Sequence, residues 1–134
     1  MTLKAGTILI NKDNICLIYR DIHNDYSFPK GHLEKNESLK ECAIRETEEE
    51  TKRKVKLIYE EPIYIEQYKT PKGEECECYY YLARDDGKSN NKSSEVHDVV
   101  WTNYNDVEKT LSYKSLKKLW NSIKEKVKEN ITND

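Results

Sequence analysis

The sequence predicts an α/β fold in which a mixed β-sheet lies between helices. Short β-rich runs recur through most of the chain, one helix signal with a marked start interrupts them, and an amphipathic helical pattern follows Asp106. Strands on either side of a helix, closed by a second helix, are most simply accommodated by a sheet covered on both faces. At 134 residues the chain is expected to form one domain, 1–134, that buries about two-thirds of its unfolded surface.

Residues 3–10 and 15–20 read as strands, separated by the polar turn Asn11-Lys12-Asp13-Asn14. The second run is almost continuously apolar, which suggests a strand buried on both faces. Asp21 to Ser27 reads as a polar loop, and Pro29-Lys30-Gly31 as a turn that brings bare backbone and a cation close to the next helix. Ser38 with Glu41 three residues later fits a capping box, and no Gly or Pro interrupts the chain from there to Thr51. Strands are expected at 55–59 and 63–68, with Pro62 marking a break between them. A turn at 69–73 leads to a strand at 76–84, a flexible loop by composition at 85–94, and a strand at 96–102 with Trp101 as a core anchor. After Asp106, Leu116, Leu119, Trp120, Ile123 and Val127 fall on one helical stripe, as core packing requires.

The first helix carries the chemistry. Glu46, Glu49 and Glu50 stand at i, i+3 and i+4 and share an arc of roughly 100°. Ala43, Ile44, Thr47 and Thr51 fall on the adjoining arc and can face a sheet, whereas Glu41, Arg45 and Glu48 point the other way. Carboxylates on neighbouring turns repel, and either a hard, oxygen-seeking cation such as Mg²⁺ relieves that repulsion or the run is a solvated acidic face. Glu37, just ahead of the cap, can pair with Arg45. A Gly carbonyl, a Lys and clustered glutamates make a kit for gripping a metal–polyphosphate.

Composition narrows the partners. A net charge of −2 argues against a general nucleic-acid binder, so no stable nucleic-acid partner is expected and attraction to an anionic substrate must be local. No apolar run is long enough to span a membrane, and the N-terminus shows no signal-peptide pattern. Cys16, Cys42, Cys76 and Cys78 are scattered, and His23, His32 and His97 lack zinc spacing, so reduced thiols and a cytoplasmic location are expected. Oligomeric state is open.

Gly31, five residues, Glu37, seven residues, then Arg45-Glu46-x-x-Glu49-Glu50 resembles the signature of the Nudix hydrolases, a box spanning 31–53. Of its nine specified positions six agree; Thr47 and Arg53 replace aliphatics, and Lys52 replaces the Gly that ends the helix. Lys tolerates a left-handed cap poorly, so the helix is expected to fray or run on. The resemblance implies an α/β/α sandwich and pyrophosphohydrolase activity with Mg²⁺, or Mn²⁺. It implies metal ligation by Glu46, Glu49, Glu50 and the Gly31 carbonyl, and catalytic roles for Glu46 and Glu49. Arg45 is read as support, pairing with Glu37; Lys30 is the best phosphate contact. Family members differ in where the base lies, and Glu95, which opens S-E-V-H-D-V-V-W after the loop, is the candidate outside the box.

F-P-K-G-H-L-E, S-E-V-x-D-x-x-W and Leu111-Ser112-Tyr113 before the last helix resemble the diadenosine tetraphosphate hydrolase branch. That implies asymmetric cleavage to ATP and AMP, with an aromatic ring stacked on adenine. Tyr79, Tyr80 and Tyr81 are the candidates, and alternation puts Tyr79 and Tyr81, the preferred pair, on one sheet face and Tyr80 on the other. Rival readings are an mRNA-cap pyrophosphatase, a diphosphoinositol polyphosphate pyrophosphatase, and a binding module that keeps the fold without catalysis. Retention of Arg45, Glu46, Glu49 and Glu50 speaks against the last.

Overall fold

Strand β1 (Thr2–Asn11) is the axis of the sheet. It runs parallel to β7 (Glu75–Lys88) along one edge and antiparallel to β2 (Asn14–Arg20) and β4 (Lys30–His32) along the other. In this computed structural model, which describes residues 1–132, β1 and β2 pair only beside their hairpin, at Ile10–Ile15 and Asn11–Asn14. Beyond that point they diverge, and the gap is filled by β3 (Asp25–Ser27) on β2 and by β4 on β1. The outer edge of β7 takes β6 (Tyr64–Lys69) on its first half and β5 (Arg53–Leu57) on its second; β8 (Asp98–Asn103) closes the other side on β2. One parallel pair among antiparallel ones makes the sheet mixed.

Alternation along β1 sends Ile8 and Ile10 to one face and Ala5 and Leu9 to the other. The first face packs on α3 (Lys114–Thr132) and the short α2 (Val107–Thr110) through Leu116, Leu119, Trp120, Ile123 and Val127, all buried. Each contributes roughly 1.5–3 kcal/mol on burial, so this stripe holds the last helix down. The second face packs on α1 (Leu39–Thr51), where Cys42 and Ala43 meet Ala5 and Tyr81. Thr47 Oγ1 and Thr7 Oγ1, both buried, hydrogen-bond at 2.8 Å and fix α1 against β1. The result is an α/β/α sandwich. No helix among the described residues is long and apolar enough to cross a membrane.

Four expectations need correction. Pro29-Lys30-Gly31 makes no turn; Lys30 and Gly31 are extended, paired with Gly6 and Ala5. Strand β7 does not stop at Arg84 but continues to Lys88, because Asp85 is anchored by Arg53 (2.9 and 2.7 Å) and Asn11 (2.7 Å). Trp101 is half-buried over Leu9, Cys16 and Ala83, and the tryptophan that fills the core is Trp120. Helix α1 neither frays nor runs on: its capping box is complete, and Lys52 takes the left-handed conformation (φ 57°, ψ 33°) with its N–H donated to Glu48 O. Tertiary anchoring of β5 immediately after the cap outweighs the roughly 1 kcal/mol that a side chain costs there.

Candidate active site

The splay between β1 and β2 places β4 beside the middle of α1, and a cavity of about 460 Å³ opens over that junction. Gly31 is the point of closest approach. A Cβ there would stand 1.8 Å from Glu46 Oε2, so the bare backbone of β4 is what lets the Glu46 carboxylate lie against the strand. Glu46 is 7% exposed, and burial, more than any neighbour, pushes its carboxyl above the usual range.

Glu46, Glu49 and Glu95 each bring a carboxylate oxygen within 4.8 Å of the others. Oxygens around one Mg²⁺ at about 2.1 Å stand roughly 3–4 Å apart, so this is a slightly open cage of the right chemistry for a hard cation. Arg45 balances it. Its Nη1 donates to Glu46 Oε1 (2.6 Å) and Glu49 Oε2 (3.1 Å), while Nε and Nη2 donate to the two oxygens of Glu37 (2.6 and 3.0 Å) and Nη2 also donates to His32 O (3.0 Å). Spacing alone turns Arg45 away from the glutamates, but its long side chain folds back along the helix. The Arg45 guanidinium holds the Glu37 carboxyl below its ordinary value, and Arg45 is itself pushed further up, first by Glu37. One guanidinium thus ties the loop before α1 to two of the clustered carboxylates.

Glu50 lines the same cavity but stands apart from the three. Its Oε1 accepts the Lys30 N–H at 3.0 Å, and burial pushes its carboxyl up to about 8. His97 Nε2 lies 3.8 Å from Glu50 Oε2, with its own pKa lowered chiefly by burial. At neutral pH and without a cation, this contact joins two largely uncharged groups.

Glu95 arrives from far along the chain by a staircase of small turns. Asn91 N–H donates to Ser89 Oγ (3.0 Å), Ser93 N–H to Asn91 Oδ1 (2.8 Å) and Glu95 N–H to Ser93 Oγ (3.0 Å). Ser89 is fastened to α1 through its N–H to Lys52 O at 2.9 Å and its hydroxyl to Glu48. The Ser/Asn composition that reads as a flexible loop therefore encodes consecutive Asx- and ST-turns.

Cations line the cavity with the acids. Lys30 is joined by Lys4 and Arg20, neither of which the sequence singles out. Asp25 holds Arg20 through two bonds (2.8 and 2.6 Å) and accepts the Tyr113 hydroxyl as well, and Arg20 keeps the Asp25 carboxyl low. Lys4 Nζ donates to Tyr68 OH at 2.9 Å, and Lys30 Nζ lies 5.9 Å from the centre of the Tyr68 ring. The predicted aromatic pair is elsewhere. Tyr79 and Tyr81 do share a face, as alternation requires, but it is the α1 face: Tyr81 is 4% exposed, and Tyr79 is engaged with Glu77 at 3.0 Å. Among the described residues, the ring beside the cavity's lysines is Tyr68. Only the strand pairing that lays Lys4 opposite His32 identifies this set; no local sequence signal does.

The family model described as NUDIX domain matches residues 2–126. Among solved structures, the fold is shared with a binary complex of a C. elegans Ap4A hydrolase (TM-score 0.80, 20% identity, 96% of this chain and 99% of that one). A NUDIX hydrolase from Nitrosomonas europaea aligns at TM-score 0.75 and 15% identity over 90% of this chain and 86% of that one. A MutT protein from Bacillus halodurans aligns at 0.74 and 18%, over 92% and 82%.

Proposed function

The chain belongs to the Nudix family, and from that premise we propose that it is a pyrophosphohydrolase that cleaves diadenosine tetraphosphate asymmetrically to ATP and AMP. The observation that carries this reading is the meeting, in one cavity, of a three-carboxylate cluster with Lys4, Arg20 and Lys30. A polyphosphate chain needs both: acids to hold divalent cations and bases to hold the phosphates those cations leave exposed. The likeness to an Ap4A hydrolase over nearly the whole of both chains supports the substrate class, and Tyr68 beside the lysines offers a ring for a purine.

Glu46 and Glu49 would hold Mg²⁺ or Mn²⁺, helped by Glu50 in the same cavity and by the Gly31 carbonyl, which in this structure accepts from Cys42 Sγ at 3.6 Å. Bound there, a divalent cation neutralises phosphate charge and lowers the pKa of water. The chain's own residues do the rest. Arg45 keeps Glu46 and Glu49 from separating and so positions them. Lys30 and Arg20, which line the same cavity, would fix the phosphate chain. Glu95, whose carboxylate faces Glu46 and Glu49 from the staircase loop, would take the proton of attacking water. Four buried, unpaired cysteines among the described residues support a reducing, cytoplasmic setting.

The test is product analysis with purified protein, Mg²⁺ or chelator, and three anhydrides in parallel: diadenosine tetraphosphate, capped RNA and a pyrophosphorylated inositol. ATP and AMP in equal amounts, only with the cation, is the expected result. Faster scission of either other substrate would overturn the substrate assignment; association without scission of any would return the chain to a binding module.

A further inference from the structure

Beside the acidic cavity lies a second one of about 450 Å³, within the roughly 300–1,000 Å³ of small-molecule sites. The two share Arg20, and the segment that gives Glu95 to the first gives Val96, His97 and Asp98 to the second. They are neighbouring compartments with one basic side chain in the wall between them. The second differs in character. It has an aromatic wall, Tyr19, whose ring is set against Tyr26 at 4.9 Å between centroids and whose hydroxyl is held by Asn24. Imidazoles enter from two separate segments, His23 and His97. Ile22, 93% exposed, and Val96, 42% exposed, come from segments more than seventy positions apart yet flank the same opening. Isolated exposed aliphatics need no explanation, but two of them converging on one aromatic-walled recess beside a phosphate site suggest a flat, partly apolar ligand.

We propose that this second cavity is the subsite for the distal nucleoside of a dinucleoside polyphosphate, with Arg20 gripping the phosphate chain where it passes between the two compartments. The inference rests on the dinucleotide reading above. Two of the three Arg20 nitrogens are committed to Asp25, which itself is braced by Tyr113, so the guanidinium is held in place before substrate arrives. Asp21 and Asp98 at the rim are acceptors for an exocyclic amine, which favours adenine over a base that presents only acceptors there. Tyr68, beside Lys4 and Lys30, serves the nucleoside at the other end.

The experiment combines histidine-ring NMR with kinetics. A diadenosine tetraphosphate carrying methylene in place of the bridging oxygens is titrated with Mg²⁺, against adenosine 5′-tetraphosphate as the probe lacking the second nucleoside. The signal of His23, assigned by substitution, should move with the first probe only, and that of His97, which lies 3.8 Å from Glu50 in the metal cavity, should move further with the first than with the second. In parallel, Ile22→Ser, at a fully exposed turn, should raise KM for hydrolysable diadenosine tetraphosphate about three- to tenfold and leave kinetics on adenosine 5′-tetraphosphate unchanged. Cleavage of the dinucleotide with both imidazoles unmoved and KM unaffected by Ile22→Ser overturns the subsite while sparing the substrate reading. Movement of the imidazoles without cleavage supports the subsite and removes the substrate reading. Neither movement nor cleavage removes both.

Discussion

Replacing Gly31 with Ala tests how the site is assembled, because the clash it creates is specific. The new methyl would meet Glu46 Oε2 at 1.8 Å, Cδ at 2.1 Å and Cγ at 2.7 Å, all of one side chain and none of the backbone. Ordinary contact needs about 3.5 Å, so the Glu46 carboxylate must retreat by more than about 1 Å. That retreat breaks its 2.6 Å bond to Arg45, costing about 1.5–3 kcal/mol, and opens the cluster it forms with Glu49 and Glu95. A displacement of that size costs on the order of 10²-fold in rate when the displaced group is catalytic. The assay is kcat at saturating Mg²⁺, with circular dichroism and melting temperature to confirm folding. Two other glycines calibrate it. At Gly6 a Cβ would strike the Pro29 carbonyl at 2.1 Å, where backbone cannot yield, so Gly6→Ala should damage the fold itself. At Gly73 (φ 85°) nothing lies within 4 Å, so Gly73→Ala should cost only the roughly 1 kcal/mol of a left-handed residue and leave kcat alone. A folded Gly31→Ala protein with wild-type kcat would show that Glu46 is not needed where it stands.

Glu49→Gln keeps size but gives up charge at the cluster; kcat should fall at least ~10²-fold with melting temperature little changed, and wild-type turnover would refute its assignment. Lys52→Gly relieves a left-handed cap whose N–H bond to Glu48 O survives the change, so stability should rise by about 1 kcal/mol, or roughly 3–4 °C in Tm for a chain of this size; a fall would show that the lysine side chain contributes more than its backbone strain costs. Glu50, pushed up to about 8 by burial, makes the folded state hold a proton that the unfolded chain releases near 4.5. Its contribution to stability is full below about 4.5 and is lost as pH rises to about 8, a decline on the order of a few kcal/mol. Denaturant titrations in chelator at pH 5 and 8 should show that slope in the wild type and a flatter one in Glu50→Gln. Added Mg²⁺ should raise stability most at the alkaline end; identical slopes in both proteins would remove Glu50 as the cause.

Legibility followed sequence distance. The capping box, the carboxylates at i, i+3 and i+4 and the Glu37–Arg45 pair are relations within one helix and the loop before it, and spacing on a known period displays them. The same holds for the stripe of α3 and for Tyr79 and Tyr81 sharing a side of β7. Which side they share is another matter, because it depends on which helix covers it. Lys4 and Arg20 share a cavity because β1 and β2 part after two paired residues, Tyr68 reaches Lys4 because β6 lies across the first half of β7, and no local pattern records either event. Glu95 shows an intermediate case: its position beyond the loop is readable, but a tract of Ser and Asn encodes a run of hydrogen-bonded turns as readily as slack chain. The division has a chemical consequence. The glutamates proposed to hold cations, Glu46, Glu49 and Glu50, are carried on one helix, whereas the groups proposed to recognise a substrate are collected from β1, β2, β4, β6 and the segment before β8. A change of strand divergence or of one connecting turn can therefore alter what is bound without touching a residue of the box, so the reaction type is far more legible in this sequence than the molecule it acts on.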